Sequence, residues 1–214
     1  MKIDYVCNCK QPDFSKNYSY WENKNSTSDE IEITNFLKHN FNLSNKKILH
    51  IGIGNSDFAK QFAHNNEVFG ITVSKKEIEL ANYLNFKNYH TFFFDKHSVN
   101  FIKFFENYKF DYIVDPNLKS YSCCEESFMY MFSNFKNLLN KNGLIILSRK
   151  GMNWYKKLKP KLAFNFKRFF HLKLKETEGN ITNILSTEDV TLLSKQFELE
   201  LYFDKNICYF KKNN

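Results

Sequence analysis

Apolar and polar residues succeed one another along this chain in blocks. Five short apolar runs, "KKILHIGI", "EVFGITV", "YHTFFF", "FDYIVD" and "LIILSR", have strand length and are bounded by polar or turn residues. Segments of helical length separate them, at 56–65, 75–86, 97–108 and 123–140. Strand, helix, strand in repetition predicts a mostly parallel sheet with right-handed crossovers and helices on both faces. The pattern then changes. After a capped helix beginning "STEDVTLL", the run "FELELYF" alternates strictly, with Phe197, Leu199, Leu201 and Phe203 on one face, and "DKN" turns the chain into "ICYF". That predicts an antiparallel hairpin closing the sheet. At the other end, "STSDEIEITNFLKHNF" predicts a capped amphipathic helix preceded by an irregular polar and aromatic arm.

The first predicted strand runs into "ILHIGIGNSDFA", residues 48–59. Two glycines after an apolar strand are a turn suited to an adenosine cofactor. In a dinucleotide-binding turn of the form G-x-G-x-x-G, the third glycine lets the helix pack on the strand while its N-terminus faces a pyrophosphate. Counted from Gly52, that third position is Asp57. A carboxylate there repels a diphosphate and obstructs the packing, so NAD and FAD are disfavoured. An adenosine cofactor without phosphate, carrying an amino-acid tail, meets neither objection.

At these residues the sequence resembles the class I S-adenosylmethionine-dependent methyltransferases, whose first strand ends in an acid followed by G-x-G-x-G. Here Gly52 and Gly54 are in place, Asn55 and Ser56 complete the turn with Ser56 for the third glycine, and His50 stands for the acid. Downstream, "GITVSKKE" resembles the branch that includes the cyclopropane fatty acid synthases, and by that resemblance Thr72 and Glu77 share the ribose. Asp95, closing "FFFD", matches the acid that accepts the adenine amino group, and "NFKNLLNKNGLIIL" matches the family's helix, glycine turn and fifth strand. The resemblance covers about 46–149 and 184–212. It implies a mostly parallel, seven-stranded Rossmann-like α/β sheet with a C-terminal antiparallel hairpin, S-adenosylmethionine as cofactor, and methyl transfer as the activity. Candidates for acid–base chemistry must then surround the end of the fourth strand, where "DPNLKSYSCCEES" offers Asp115, Tyr121 and Glu125. Tyr18, Tyr20 and Trp21 of the arm are candidates to cover the sulfonium or the acceptor, a cation–π contact worth about 0.5–2 kcal/mol.

Composition changes this picture in three ways. The 214 residues, 43% of them apolar, suit one domain, divided as arm and helix (1–45), cofactor core (46–149), insert (150–183) and last helix with hairpin (184–214). The net charge of +8 is local: Met152 to Lys175 carries Lys156, Lys157, Lys159, Lys161, Lys167, Arg168, Lys173 and Lys175 and no acid. Aromatic residues interleave with these, so an anionic acceptor is expected, a small molecule, glycan or lipid precursor, with Lys156 and Lys157 among its contacts. RNA or DNA is the second acceptor class. A protein that binds the cofactor without transfer is the third reading, supported by His50 in place of the acid. Only Arg149 and Arg168 are arginines, which weakens the nucleic-acid reading, because the arginine fork suits phosphate best.

The five cysteines lack the spacing of a secreted disulfide framework, and no run has the length of a membrane span or of a signal-peptide core, so a cytoplasmic location is expected. Cys7, Cys9, Cys123 and Cys124 could in principle form a zinc site, but C-x-C and C-C are poor tetrahedral spacings, and no metal is expected.

Overall fold

A computed structural model describes residues 4–9, 24–153 and 184–213. Tyr18, Tyr20 and Trp21 of the arm, and Lys156, Lys157 and nearly all of the basic insert, lie outside the described residues.

The elements follow the order α1 (Ser28–Asn40), β1 (Lys47–Ile51), α2 (Asp57–Phe62), β2 (Glu67–Thr72), α3 (Lys75–Asn82), β3 (Tyr89–Phe93), α4 (Phe101–Phe104), β4 (Phe110–Val114), α5 (Glu125–Leu138), β5 (Leu139–Ser148), α6 (Thr187–Gln196), β6 (Leu199–Asp204) and β7 (Ile207–Lys212). They build one seven-stranded sheet in the order β3-β2-β1-β4-β5-β7-β6. Every pairing from β3 to β5 is parallel, and β7 runs antiparallel to both β5 and β6. The chain order therefore reverses between β1 and β4. That switch opens a crevice at the carboxyl ends of the strands.

Local sequence explains the helix starts. Thr27 and Glu30 form a reciprocal capping box on α1, and Ser186 and Asp189 form another on α6. Alternate strand residues feed two apolar layers. Leu49, Ile51, Phe69, Ile71, Phe110 and Ile113 pack toward α4, α5 and α6. Ile48, Val68, Tyr112, Val114 and Ile146 pack toward α1 and α2.

Several boundaries differ from the sequence reading. The segment 97–108 contains only one helical turn, α4: residues 96–98 before it are buried polar groups, and Phe101 and Phe105 are the buried apolar anchors of the turn. The other predicted helices are trimmed at their ends. β5 begins directly where α5 stops: Leu139 pairs with Phe110, the register shifts, Asn142 takes a left-handed φ of 60°, and pairing resumes at Leu144. The predicted apolar face of "FELELYF" is incomplete. Phe197 belongs to the end of α6, Leu199 is buried, and Phe203 is 42% exposed at the sheet's edge. After β5, Gly151 lies so close to the loop following β4 that a Cβ would stand 1.7 Å from the carbonyl oxygen of Pro116, which only glycine tolerates. Among the described residues no helix is long and apolar enough to cross a membrane.

Candidate functional site

The site is built at the carboxyl ends of β1 to β4. Leaving β1, the chain turns at Gly52 and Gly54, with left-handed φ values of 76° and 52°. The Gly52 amide donates to the Ile71 carbonyl at 2.8 Å, holding the turn against β2. Ser56 is also left-handed, at 61°, and its buried hydroxyl meets the Tyr89 hydroxyl at 3.0 Å instead of capping α2. Asn55 points the other way. Its amide donates to the Lys24 carbonyl at 2.7 Å and to Asp57 at 2.8 Å, so it joins the turn to the segment before α1. Asp57 binds Ser26 at 2.8 Å and Lys60 at 2.7 Å.

At the end of β2, the Thr72 hydroxyl donates to Glu77 Oε2 at 2.7 Å, and the Gly54 amide donates to the same oxygen at 3.2 Å. One carboxylate thus ties the glycine turn to the second strand. Both bonds fall on Oε2, and Oε1 has no partner among the described residues. Burial raises the Glu77 pKa, opposed by these two hydrogen bonds.

Asp95 follows β3 and is nearly buried. Its Oδ1 accepts from the His97 amide at 2.9 Å, and its Oδ2 accepts from the Tyr5 hydroxyl. Nothing in the sequence signals Tyr5, which lies 90 residues away. The next residue, Lys96, was also missed. Its buried ammonium donates to Asp115 Oδ2 at 2.7 Å, to the carbonyls of Leu118 at 2.9 Å and Asn117 at 3.2 Å, and to the Ser120 hydroxyl at 3.3 Å. Asp115 Oδ1 accepts from the Asn117 amide at 3.2 Å. Both oxygens of this acid–base candidate are therefore committed to holding the loop after β4. Tyr121 takes a left-handed φ of 63° in that loop, and Glu125, at the start of α5, is a surface residue paired with Lys119 at 2.7 Å. His97 is buried beside the same loop, its Nε2 3.1 Å from the Ser120 carbonyl, and burial lowers its pKa.

His50 does not reach the crevice. It is 0% exposed and stacks on Phe58 with centroids 4.4 Å apart, on the α1 and α2 side of the sheet. Residue 50 points that way because side chains alternate along β1. Its Nε2 lies 3.9 Å from Glu30, a second buried ionisable group. Burial lowers His50 to about 3 and raises Glu30 to about 7, with Asp57, Glu77 and Asp29 adding to the Glu30 rise and the Thr27 amide opposing it.

These shifts make a prediction with a definite sign. Between about pH 4.5 and 7 the folded protein keeps a Glu30 proton that the unfolded chain has released. The stability due to Glu30 is thus full below about 4.5 and is lost as pH rises through about 7. His50 acts oppositely: its contribution is present above about 6.5 and is lost as pH falls toward about 3. Urea unfolding at stepped pH is expected to show the stability difference, parent minus Glu30→Gln, falling between about pH 4.5 and 7 and level on either side. A difference constant across that interval would show that Glu30 titrates as an exposed glutamate.

The spacing argument against a cysteine metal site fails on the fold. Cys7, Cys9, Cys123 and Cys124 converge, with all four sulfurs within 4.8 Å of one another. Spacing within each pair does not decide the geometry, because the pairs come from segments about 116 residues apart.

A separate open groove of about 420 Å³ lies at the amino ends of β1 and β2, lined by Ser44, Lys46, His64, Asn66, Glu67 and Asn88. Its polar groups cap strand starts, as where the Lys46 amide donates to Asn66 at 3.1 Å. Ligands of open α/β sheets bind at the other edge.

No protein-family model and no curated protein matches the sequence. Solved structures do match. The N-methyltransferase NodS from Bradyrhizobium japonicum, in complex with S-adenosyl-L-homocysteine, aligns with a TM-score of 0.59 at 13% identity, over 94% of this chain and 95% of that one. Magnesium protoporphyrin IX methyltransferase from Synechocystis, with bound S-adenosylmethionine, aligns at 0.61 and 11%, over 92% and 89%. CalS10, an amino pentose methyltransferase from Micromonospora echinaspora, aligns at 0.58 and 8%, over 91% and 94%. The strand order, the antiparallel β7 and these alignments agree: the chain has the class I S-adenosylmethionine-dependent methyltransferase fold.

Proposed function

We propose that this protein is an S-adenosylmethionine-dependent methyltransferase whose acceptor is a small anionic molecule. The observation that carries the reading is the Glu77 carboxylate, bonded through one oxygen to both Thr72 and the Gly54 amide and presenting the other without a partner among the described residues. A buried acceptor next to a glycine turn fits the vicinal hydroxyls of a ribose. Asp95 accepts the adenine amino group beside the Tyr5 hydroxyl, since each carboxylate oxygen has a second lone pair. Gly52, Gly54, Asn55 and Ser56 shape the turn that takes the methionine tail. Bound, the cofactor supplies a methyl group on a sulfonium, which leaves as a neutral thioether.

The chain's own task is alignment, which supplies much of the rate for such a transfer. Lys96 and Asp115 hold the loop after β4 in place, and we assign Asp115 to positioning rather than to proton transfer. Tyr121 and Glu125, on that loop and at the start of α5, remain the acid–base candidates. The fold matches a magnesium protoporphyrin IX methyltransferase and an amino pentose methyltransferase, which act on small molecules. The anionic character rests on the basic insert of the sequence.

Isothermal calorimetry tests the cofactor. S-adenosylmethionine and S-adenosylhomocysteine are expected to bind, and NAD to bind at least tenfold more weakly; equal or tighter NAD binding overturns the reading. The acceptor is tested by replacing Lys156, Lys157, Lys167 and Arg168 with glutamine. Transfer to phosphorylated acceptors is expected to fall and to lose its salt dependence, with cofactor affinity unchanged. An unaltered rate in low and high salt would make the insert a solvated face.

A further inference from the structure

We propose that Cys7, Cys9, Cys123 and Cys124 form a tetrahedral zinc site that fastens the amino-terminal segment across the carboxyl edge of the sheet. This inference is independent of the methyltransferase reading. The four sulfurs lie within 4.8 Å of one another, with Cys7 and Cys123 at 3.1 Å and Cys123 and Cys124 at 4.0 Å. With Zn–S bonds of about 2.3 Å, a ZnS4 tetrahedron has sulfur–sulfur edges of about 3.8 Å. The two distances bracket that edge. They exceed the covalent separation of about 2.05 Å, and all four thiols are free.

The surroundings favour a metal over a mere gathering of thiols. Cys9 is exposed, and Cys7, Cys123 and Cys124 are half-buried, so burial of the sulfurs does not drive the convergence. The described part of the segment, residues 4–9, contributes no side chain to the apolar core; Val6 is exposed. Among the described residues its other ties include the Asp4 carbonyl, which accepts from the Val99 amide at 2.9 Å, and the Tyr5 hydroxyl on Asp95. Cys124 is the N-cap of α5, and its sulfur accepts from the Ser127 amide at 3.5 Å. An amide donor at a helix N-terminus favours the thiolate that a metal requires. Four thiolates select zinc or iron among common metals, and hard cations are excluded. Binding displaces the thiol protons to solvent and forms four Zn–S bonds, with no change of oxidation state. The site then ties residues 4–9 to the loop before α5 and holds Tyr5 on Asp95.

The test uses the full-length protein, purified without chelator. Elemental analysis is expected to find one equivalent of zinc. Protein stripped of metal under reducing, anaerobic conditions is then titrated with cobalt(II), and should develop the intense visible absorption of a tetrahedral thiolate complex, saturating at one equivalent and bleached by zinc. The Cys7→Ser, Cys9→Ser variant should lose both the zinc and the absorption, while Cys208→Ser, whose thiol is buried elsewhere, keeps them. Because the parent protein alone carries the titration, a variant that fails to fold does not blunt the test. Absence of a cobalt–thiolate spectrum in the parent, stoichiometric iron in place of zinc, or disulfides linking these cysteines in peptide maps of protein prepared under reducing conditions would each overturn the proposal.

Discussion

Lys96→Met is expected to cost about 3–5 kcal/mol of folding stability, read by urea unfolding, because it strands a buried carboxylate. Lys96 and Asp115 are both nearly inaccessible and meet at 2.7 Å. The substitution removes the counter-ion of Asp115 and also leaves the Leu118 carbonyl without its donor, whereas the Asn117 carbonyl keeps the Ser120 amide at 2.8 Å. Adding Asp115→Leu is expected to recover part of the loss, since an absent pair costs less than a broken one. Recovery should be incomplete, because the Leu118 carbonyl still lacks a partner. A loss under about 1 kcal/mol for the single variant would place the pair with surface ion pairs and remove its claim to hold the loop after β4.

The second large effect falls on the cofactor. Hydrogen bonds to a charged group contribute about 1.5–3 kcal/mol, so Glu77→Ala is expected to weaken S-adenosylhomocysteine binding roughly tenfold to hundredfold by calorimetry. Glu77 also holds Gly54, so weaker binding alone does not separate lost ribose contact from a loosened turn. A ligand lacking one ribose hydroxyl separates them. If Glu77 bonds that hydroxyl, the parent protein loses affinity for the deoxy ligand while Glu77→Ala discriminates little between the two ligands. Equal discrimination by both proteins would assign Glu77 to the turn only and withdraw the ribose role.

Patterns within short windows were legible in the sequence. Block alternation foretold the parallel strands, because a strand covered on both faces must be apolar at successive positions. The capping boxes at Thr27 and Ser186 are legible for the same reason: donor and acceptor lie three residues apart. Thr72 and Glu77 were singled out by the family resemblance as ribose contacts, and the fold adds the direct bond between them across a single strand-to-helix turn.

What sequence could not reveal are relations set by how distant strands end side by side. His50 reads as the acid position of a glycine motif, yet the pleat of β1 turns it under α1 against Phe58. Asp115 reads as a base until β3 and β4 bring Lys96 to it from 19 residues away. Tyr5 reaches Asp95 from 90 residues away, and Cys7 reaches Cys123 from 116. A local pattern specifies which face a residue presents. Only the sheet order, set by burying both apolar layers at once, decides which charge, hydroxyl or thiol it meets there.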